Sequence, residues 1–337
     1  MCAISILVSP PRPLARTLFS LRSWAAPWRE RRSGPGSGAG PAIAVIGNCQ
    51  GRGLAAVLGL LCPDSRVRLL PVGRLRRAVP DAAALAAELR GYDLVLSQAF
   101  AEATLPGGVS ALRAQLPQLR LFPTLVFSGF HPDTIYVGED AALAPSPLGL
   151  YHSAIAAFAF LRGLDEARTL GLFREEVFAR LGYLDVWDGA ARAMRAAAAE
   201  EGFSLDREFL LWSRRGCFML NVNHPKLFVL GDIGRRLLLE AGLPVRDIDP
   251  ETYLTDDLVR DVVWPVYPPV AERYGVSGSY LFKAKASGPA LPALYDLPAF
   301  VAASFRMYRA MPRARLSGVR LEAWAADAGV RDLFDGA

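Results

Sequence analysis

The stretch that decides the fold reads Ala42-Ile43-Ala44-Val45-Ile46-Gly47-Asn48-Cys49-Gln50. Its first five residues form a continuous apolar run with the length of a buried strand. A glycine-bearing turn follows, and the apolar stretch Leu54–Leu61 behind it has the character of a helix. The sequence therefore predicts a strand, a turn and a helix in immediate succession, with Cys49 at their junction.

The same alternation continues along the first half of the chain. A segment rich in alanine and leucine begins at Asp81, the predicted N-cap, and stops at Gly91, the predicted residue after the helix. Further predicted strands cover residues 66–70, 93–97 and 119–127, and a short helix covers residues 109–116. Strands that alternate with helices predict an α/β fold with a doubly wound, mostly parallel sheet.

Polar residues follow the predicted strands at their carboxyl ends, where open α/β sheets bind ligands. They are Gly47-Asn48-Cys49-Gln50, Ser97-Gln98 and Ser128-Gly129-Phe130-His131-Pro132-Asp133. A thiol, amides, hydroxyls, an imidazole and a carboxylate would thus meet at one edge of the sheet. Secondary-structure propensity does not require this clustering, so it indicates a functional site.

The second half of the chain is predicted to be rich in helices. The predicted helices are 151–161, 165–181, 190–201 and 227–240, and a return strand at 217–222 leads into Asn223-His224-Pro225. We therefore divide the chain into a leader at 1–40, an α/β catalytic core at 41–245 that is helix-rich from about residue 150, and a C-terminal helical or irregular extension at 246–337.

The positive charge of the chain is confined to its leader. Residues 1–40 contain six arginines and one glutamate, an excess of five that equals the net charge of all 337 residues. A basic surface for nucleic acid is therefore not expected. The proline, glycine and serine content of the leader predicts disorder, and its arginines with Trp24 and Trp28 would allow weak peripheral contact with an anionic membrane.

The chain has the features of a cytoplasmic protein. No run reaches the roughly 18 to 20 apolar residues of a membrane span. Four widely spaced cysteines do not suggest a disulfide framework and favour a reducing compartment. We expect a cytoplasmic location, with peripheral contact at the inner membrane as the alternative.

Cysteine and histidine supply the candidate chemistry. Backbone N–H groups and the helix dipole would stabilise a thiolate at Cys49, the predicted nucleophile, whereas a structural cysteine is the alternative. His131 and His224 both precede proline, which can hold an imidazole at a strand-to-loop exit, and either is a candidate general base. For each histidine taken alone, a structural role is the favoured alternative. Asp133 can orient an imidazole, and Asn223 can do the same or donate to an oxyanion.

Anion binding is predicted at the glycine-rich turn 47–53, because N–H groups at a helix N terminus attract phosphate. Residues 51–56 also fit the loose dinucleotide pattern G-x-G-x-x-A, but no acidic residue closes the second strand. His152, at the start of a predicted helix, is a candidate phosphate or substrate contact, or a packing residue. The three histidines and the cysteines show no paired ligand spacing, so no metal is expected.

Four short motifs, taken in order, resemble the WcbI family of capsule polysaccharide biosynthesis proteins over roughly residues 42–240. They are Gly47-Asn48-Cys49-Gln50, the segment 128–133, Tyr151-His152-Ser153 and Asn223-His224-Pro225. This resemblance implies coenzyme A binding and acetyl transfer in bacterial surface polysaccharide modification. The place of Cys49 after the first strand is also similar to the SGNH hydrolase plan, with cysteine where those enzymes have serine.

The resemblance leads us to expect an O-acetyltransferase that uses acetyl-CoA and a sugar or polysaccharide acceptor, with residues in three roles. Catalytic residues would be Cys49, His131, His224 and Asp133. Oxyanion or substrate contacts would be Asn48, Gln50, Gln98, Ser128 and Asn223. Contacts to coenzyme A would be Gly47, Gly51, Arg52, Arg74, Tyr151, His152, Ser153 and Lys226.

Two routes fit this expectation. In one, Cys49 takes the acetyl group as a thioester; in the other, a histidine deprotonates the sugar hydroxyl for direct attack while Cys49 or Asn48 stabilises the oxyanion. One rival function is an SGNH-like esterase or deacetylase that uses water as acceptor. The other is a non-catalytic protein of a polysaccharide assembly system that binds coenzyme A, a nucleotide or a glycan.

Overall fold

A computed structural model describes residues 40–139, 142–286 and 291–336, so the predicted disordered leader lies outside the described residues except for Gly40. The strands are β1 (Ala42–Gly47), β2 (Arg66–Pro71), β3 (Leu94–Ser97), β4 (Leu119–Leu121), β5 (Thr134–Ile135), β6 (His152–Ser153), β7 (Met219–Asn221), β8 (His224–Pro225), β9 (Phe282–Lys283) and β10 (Leu294–Tyr295).

Fifteen helices occupy the described residues. They are α1 (Cys49–Leu61), α2 (Leu75–Ala78), α3 (Ala82–Leu89), α4 (Gly108–Gln115), α5 (Ala154–Arg162), α6 (Glu166–Leu170), α7 (Glu175–Arg180), α8 (Trp187–Glu200), α9 (Asp206–Arg214), α10 (Leu227–Glu240), α11 (Pro250–Tyr253), α12 (Pro268–Tyr274), α13 (Leu297–Arg309), α14 (Val319–Ala326) and α15 (Ala328–Asp335). Short 3-10 turns lie at Val72–Arg74, Asp257–Arg260 and Arg313–Arg315.

The central sheet has four parallel strands in the order β2-β1-β3-β4. From β1 the chain crosses to β2 on one side, and it then returns to β3 on the other side. The turns after β1 and β3 therefore diverge, which opens the crevice where α/β sheets bind ligands. The predicted α/β fold with a mostly parallel sheet is confirmed.

Side chains of β1 alternate between two apolar layers, because successive residues of a strand point to opposite faces. Ile43 and Val45 pack into the larger core with Val57 of α1, and Ala44 and Ile46 pack into a second core. That second core also contains side chains of α3 and α4, such as Leu85 and Leu112. Helices thus cover both faces of the sheet, as in a doubly wound fold.

Glycines let α1 and α10 approach each other closely. A Cβ atom at Gly53 would lie 2.5 Å from the side chain of Leu230, and one at Gly234 would lie 2.8 Å from Val57. Because α1 begins at Cys49, this contact fixes the position of the candidate nucleophile. The contact also explains the G-x-G-x-x-A pattern at residues 51–56. Its second glycine, Gly53, lies in α1 and allows close packing against α10.

Three predicted elements have different bounds in the structure. The fourth strand ends at Leu121, two residues before Pro123, which has no N–H to donate. The predicted helix 165–181 consists of α6 and α7. The helix predicted from residue 151 begins at Ala154, because Ser153 is its N-cap and accepts the N–H of Ala156 at 3.0 Å.

The segment after residue 246 packs into the larger core. Helices α13, α14 and α15 contact α5, and the buried rings of Tyr267, Phe282 and Phe300 belong to the same apolar cluster as Phe127. Trp264 donates its backbone N–H to the carbonyl oxygen of Leu220 in β7 at 2.9 Å. The C-terminal segment is therefore joined directly to the part of the chain that carries the His-Pro motif at 224–225.

Candidate active site

Cys49 is the first residue of α1 and lies at the carboxyl edge of the sheet. Asn48 is the N-cap, and its Oδ1 accepts the N–H of Gln50 at 2.9 Å. Gly47 is required before it, because a Cβ atom there would lie 2.8 Å from Cα of Gly51. Gly51 faces the sheet from within α1, where a Cβ atom would lie 3.8 Å from the side chains of Val45 and Phe122. Its backbone contact to coenzyme A stays a prediction.

Gln98 joins the turn after β3 to the turn after β1. Its Oε1 accepts the backbone N–H of Asn48 at 2.8 Å, and its own N–H donates to the carbonyl of Ile46 at 2.9 Å. Nε2 of Gln98 is buried and has no hydrogen-bond partner among the described residues. One strong donor therefore stands unused at the junction of the two central strands.

The side chain of Gln50 connects α1 to two other segments by hydrogen bonds, and its role differs from the predicted one. Its Nε2 donates to the carbonyls of Leu125 and Asn223, both at 2.9 Å, and its Oε1 accepts the N–H of Leu125 at 3.0 Å. Since its backbone N–H is also taken by Asn48, no donor of Gln50 remains for an oxyanion. We assign it a structural role.

Asn223 connects two tyrosine hydroxyls beside the site. Tyr151 donates its hydroxyl to Oδ1 of Asn223 at 2.7 Å, and Nδ2 of Asn223 donates to the hydroxyl oxygen of Tyr136 at 3.0 Å. Burial raises the pKa of both tyrosines, and the charge of Cys49 would raise them further. Both phenols are therefore neutral. Sequence reasoning missed Tyr136, which lies three residues after Asp133 in an irregular loop.

His224 lies next to this cluster. Its ring meets that of Tyr151 edge-on with centroids 6.3 Å apart. Burial lowers the pKa of His224 to about 4, although the charge of Asp261 acts in the opposite direction. Asp261 is itself nearly buried, and its Oδ2 lies 3.6 Å from Nζ of Lys285. Both of these charged residues come from the C-terminal segment and were not predicted.

The Cys49 thiol is neutral at physiological pH, contrary to the expectation of a stabilised thiolate. Burial raises its pKa to about 12, and the charge of Asp261 adds to the rise. The N–H groups of Gln50 and Cys49 and the charge of Arg52 lower the pKa, as a helix N terminus should, but burial outweighs them. Sγ lies 3.9 Å from Oδ1 of Asn48.

Asp133 does not orient an imidazole in this structure. Its carboxylate is fully buried and accepts the hydroxyls of Tyr183 and Tyr267, both at 2.8 Å, and the N–H of Ile155 at 2.9 Å. These donors come from three separate segments. Asp133 therefore fixes the loop after β4 to the helical half of the protein, and the predicted orienting role is replaced by a structural one.

His131 lies in the same loop and is enclosed. Its N–H donates to the carbonyl of half-buried Ser128 at 3.0 Å. Neither ring nitrogen makes a hydrogen bond of normal geometry to the described part of the chain. Burial lowers the pKa of His131 to about 3, with the charge of Lys226 as a smaller contribution. Burial therefore keeps the His131 ring neutral at physiological pH.

His152 also has a structural environment. Its Nδ1 lies 3.0 Å from the hydroxyl of Tyr308, and its Nε2 lies 2.9 Å from the carbonyl oxygen of Ala144. Burial lowers its pKa to about 4. With both ring nitrogens used and Ser153 engaged as the cap of α5, neither residue is arranged to contact coenzyme A.

The predicted phosphate-binding cations have different surroundings. Arg52 is half-buried in the first turn of α1, where its charge acts on Cys49. Arg74 is exposed in the turn directly after β2, at the same edge of the sheet. Lys226 is half-buried and precedes α10. The structure thus places Arg52 and Arg74 on the edge that carries Cys49.

Membrane-spanning helices and metal-binding clusters are both absent from the described residues. No helix there is long and apolar enough to cross a membrane. The same residues contain no group of three or more histidine, cysteine, aspartate or glutamate side chains arranged to hold a metal ion.

Comparison with known proteins places this site in context. A family model described as "Polysaccharide biosynthesis enzyme WcbI" matches residues 42–246. No curated protein sequence matches the chain. A solved structure of WcbI matches with a TM-score of 0.60 and 19% identity. It is described as a novel polysaccharide biosynthesis enzyme, in its native form without a disulfide bond between coenzyme A and a cysteine. The match covers 88% of this chain and 98% of that one, and it supports the fold.

Proposed function

The chain belongs to the WcbI family of polysaccharide biosynthesis enzymes, and we propose that it transfers an acetyl group from acetyl-CoA to a sugar hydroxyl of a surface polysaccharide or its precursor. Two observations carry the proposal: the turns that bear Cys49 and Gln98 are joined by the bond from Asn48 to Gln98, and the charge of Asp261 acts on both Cys49 and His224. The description of the solved relative, which names coenzyme A together with a cysteine, supports assigning the thiol end of coenzyme A to the neighbourhood of Cys49.

The residues present fit coenzyme A as a substrate. Arg52 and Arg74 provide positive charge at the edge of the sheet for its phosphates. The buried Nε2 of Gln98 is a donor without a partner among the described residues, and it suits the oxygen of an acyl carbonyl. Because a buried donor without a partner costs free energy, this atom supports a ligand beside the turns that follow β1 and β3.

The charge state of the thiol favours direct transfer over a thioester on Cys49. A thiol whose pKa is raised to about 12 is a weak nucleophile at neutral pH. In direct transfer the sugar hydroxyl oxygen attacks the thioester carbonyl carbon, the carbon–sulfur bond breaks, and the hydroxyl proton ends on the sulfur of coenzyme A. The products are the acetylated sugar and free coenzyme A, and negative charge develops on the carbonyl oxygen along the way.

We further propose that the reaction takes place in the cytoplasm, where acetyl-CoA is available. Cys49, Cys62 and Cys217 are all free thiols, which supports a reducing compartment. The proposal also follows the SGNH plan in outline, with Cys49 after the first strand and His224 contributed from far along the chain.

Release of the coenzyme A thiol, followed with a chromogenic thiol reagent, tests the proposed function against a panel of sugar acceptors. We expect thiol release that depends on the acceptor, with the acetylated sugar detected by mass spectrometry. Thiol release at the same rate without any sugar would identify a hydrolase. Binding of coenzyme A in calorimetry with no turnover of any acceptor would identify a binding protein.

A matched pair of variants locates the reaction. Cys49→Ser is expected to lower transfer, because Cys49 begins α1 at the carboxyl edge of the sheet and follows Asn48, which bonds to Gln98. Cys217→Ser is expected to retain it. Cys217 lies before β7 and donates to the carbonyl of Met219 at 3.1 Å, a bond that a serine hydroxyl can replace. Equal effects of the two substitutions would place the reaction elsewhere.

A further inference from the structure

The orientation of the Asn221 side-chain amide is determined by its two backbone partners. Its Nδ2 donates to the carbonyl of Val262 at 2.8 Å, and its Oδ1 accepts the N–H of Asn223 at 3.1 Å. Turning the amide by 180° would set a donor against the Asn223 N–H and an acceptor against the Val262 carbonyl. Asn221 is fully buried, so turning the amide would leave the Val262 carbonyl and the Asn223 N–H without their partners.

This orientation sets the protonation of His224. The second hydrogen of Asn221 Nδ2 points to Nδ1 of His224, 3.0 Å away. A ring nitrogen that receives a hydrogen bond must present its lone pair, and the proton of a neutral imidazole then resides on the other nitrogen. His224 is therefore the tautomer with its proton on Nε2.

We propose that Asn221 is a positioning residue that holds His224 as the Nε2–H tautomer, so that His224 donates a hydrogen bond to the developing oxyanion and is not the general base. The donor role rests on the proposed acetyl transfer, whereas the tautomer does not depend on it. A base at Nε2 would need its lone pair there and a proton on Nδ1, where that N–H would oppose the amide hydrogens of Asn221.

The groups around His224 are consistent with a neutral donor. The ring of Tyr151 contacts that of His224 edge-on. The charge of Lys285 lowers the pKa of His224, and the charge of Asp261 raises it. Burial has the largest effect and keeps the ring uncharged at neutral pH. A neutral Nε2–H can donate to a carbonyl oxygen, as can Nε2 of Gln98, which has no partner among the described residues.

The C-terminal segment makes this arrangement possible. Asn221 ends β7 and His224 begins β8, and the pairing of the two strands is irregular between Met219 and Asn221. Val262 is brought to the amide because Trp264, two residues later, donates its N–H to Leu220 in β7. A residue beyond the part of the chain that matches the family model thus determines the state of a residue within it.

Nitrogen NMR of the full chain labelled at histidine reads the tautomer without reference to activity. With only three histidines in the sequence, His131→Gln and His152→Gln assign the spectrum by elimination. We expect His224 to show an unprotonated Nδ1 and a protonated Nε2 at pH 7. A proton on Nδ1 would overturn the proposal, whether or not the protein transfers acetyl groups.

Asn221→Asp tests the positioning role. A carboxylate accepts and cannot donate, so it should pull the His224 proton to Nδ1 and raise the midpoint of its titration by about 1–3 pH units. We expect this shift in the NMR spectrum, together with a loss of about 10²–10³-fold in kcat. An unchanged tautomer in a folded variant, or an increase in kcat, would contradict the proposal.

A pair of substitutions at His224 keeps the test decisive if Asn221→Asp does not fold. The amide of His224→Gln can donate near the position of Nε2 but cannot act as a base, whereas His224→Ala can do neither. We expect the glutamine variant to retain at least about 10-fold more transfer than the alanine variant. Equal losses in both variants would assign His224 the role of base.

Discussion

The backbone N–H of Asn48 donates to Oε1 of Gln98 across 2.8 Å, and this bond joins the turns that follow the two central strands of the sheet. The two residues are 50 positions apart in sequence. The bond holds Oε1 of the Gln98 amide. The direction of Nε2 is therefore fixed, although Nε2 has no hydrogen-bond partner among the described residues. A donor fixed in this way loses little freedom when it meets a substrate oxygen.

The Gln98 amide accepts the Asn48 N–H through Oε1 and offers a hydrogen through Nε2, and Gln98→Glu should separate these two functions. A carboxylate can still accept the Asn48 N–H, but it offers no hydrogen to a carbonyl oxygen. We expect kcat for acetyl transfer to fall by about 10²–10³-fold, with a smaller change in the affinity for coenzyme A. Gln115→Glu, at an exposed glutamine that bonds to its own helix, is the control and should be neutral. Full activity of Gln98→Glu would remove Nε2 from the mechanism.

Gly47→Ala should destabilise the protein, because the new Cβ atom would lie 2.8 Å from Cα of Gly51, which cannot move without shifting α1. We expect the free energy of unfolding to fall by about 1–3 kcal/mol. Gly59→Ala in the same helix has room, with its nearest neighbour 3.8 Å away, and should stabilise by about 0.5–1 kcal/mol. Urea denaturation measures both, and an equal change in the two variants would argue against the close approach at Gly47.

Alkylation of Cys49 should be slow, because its pKa is raised to about 12 by burial and by Asp261. At pH 8 we expect the rate with iodoacetamide to be about 10²–10³-fold below that of an ordinary cysteine peptide. Asp261→Asn removes a negative charge and should increase the rate, whereas Arg52→Gln removes a positive charge and should decrease it. Mass spectrometry of the Cys49 peptide gives the rates, and the reverse order of the two variants would refute the electrostatic account.

Stability should decrease on acidification because three buried histidines are neutral in the folded protein. Burial lowers the pKa of His131 to about 3 and those of His152 and His224 to about 4, below the ordinary 6.5. As the pH falls below about 6.5, the unfolded chain takes up protons that the folded protein does not. We expect a loss of roughly 1–2 kcal/mol per histidine by pH 5.

Urea midpoints between pH 7.5 and 5 measure this loss, and His152→Gln provides the comparison. The variant lacks one titrating group, so its stability should depend less steeply on pH even if it is less stable overall. Asp133 acts in the opposite direction, because burial raises its pKa and its proton uptake stabilises the folded state as the pH falls. A pH dependence of the variant identical to that of the unsubstituted protein would contradict the assignment of His152 as a buried neutral ring.

Much of the fold was accessible to sequence reasoning because its signals are local. The apolar run 42–46, the turn at Gly47 and the cap at Asp81 each depend on residues a few positions apart. Asp81 does accept the N–H of Ala84 at 2.8 Å. The rule that ligands bind at the carboxyl ends of parallel strands then predicts that Asn48, Cys49 and Gln98 lie at one edge of the sheet.

The same reasoning could not find the partners that distant segments supply. Tyr136 and Asp261 lie in stretches without regular periodicity, and no local pattern distinguishes them from other polar residues. His152 and Asp133 looked like site residues from their motifs, yet their polar atoms are used by Tyr308, Tyr183 and Tyr267. Which partner a buried polar group finds depends on packing between elements, and this information is spread over the whole chain.

The sequence by itself determined the alternation of strands and helices and the presence of a thiol, amides and an imidazole after the ends of the strands. Only the tertiary structure decided their chemical states. A helix N terminus favours a thiolate at Cys49, but burial makes it a neutral thiol; His224 carries its proton on Nε2 because Val262, 41 residues from Asn221, turns the amide toward Nδ1. The physical reason is that periodicity acts between neighbours, whereas solvation and hydrogen-bond partners are set by whichever segments pack against a site.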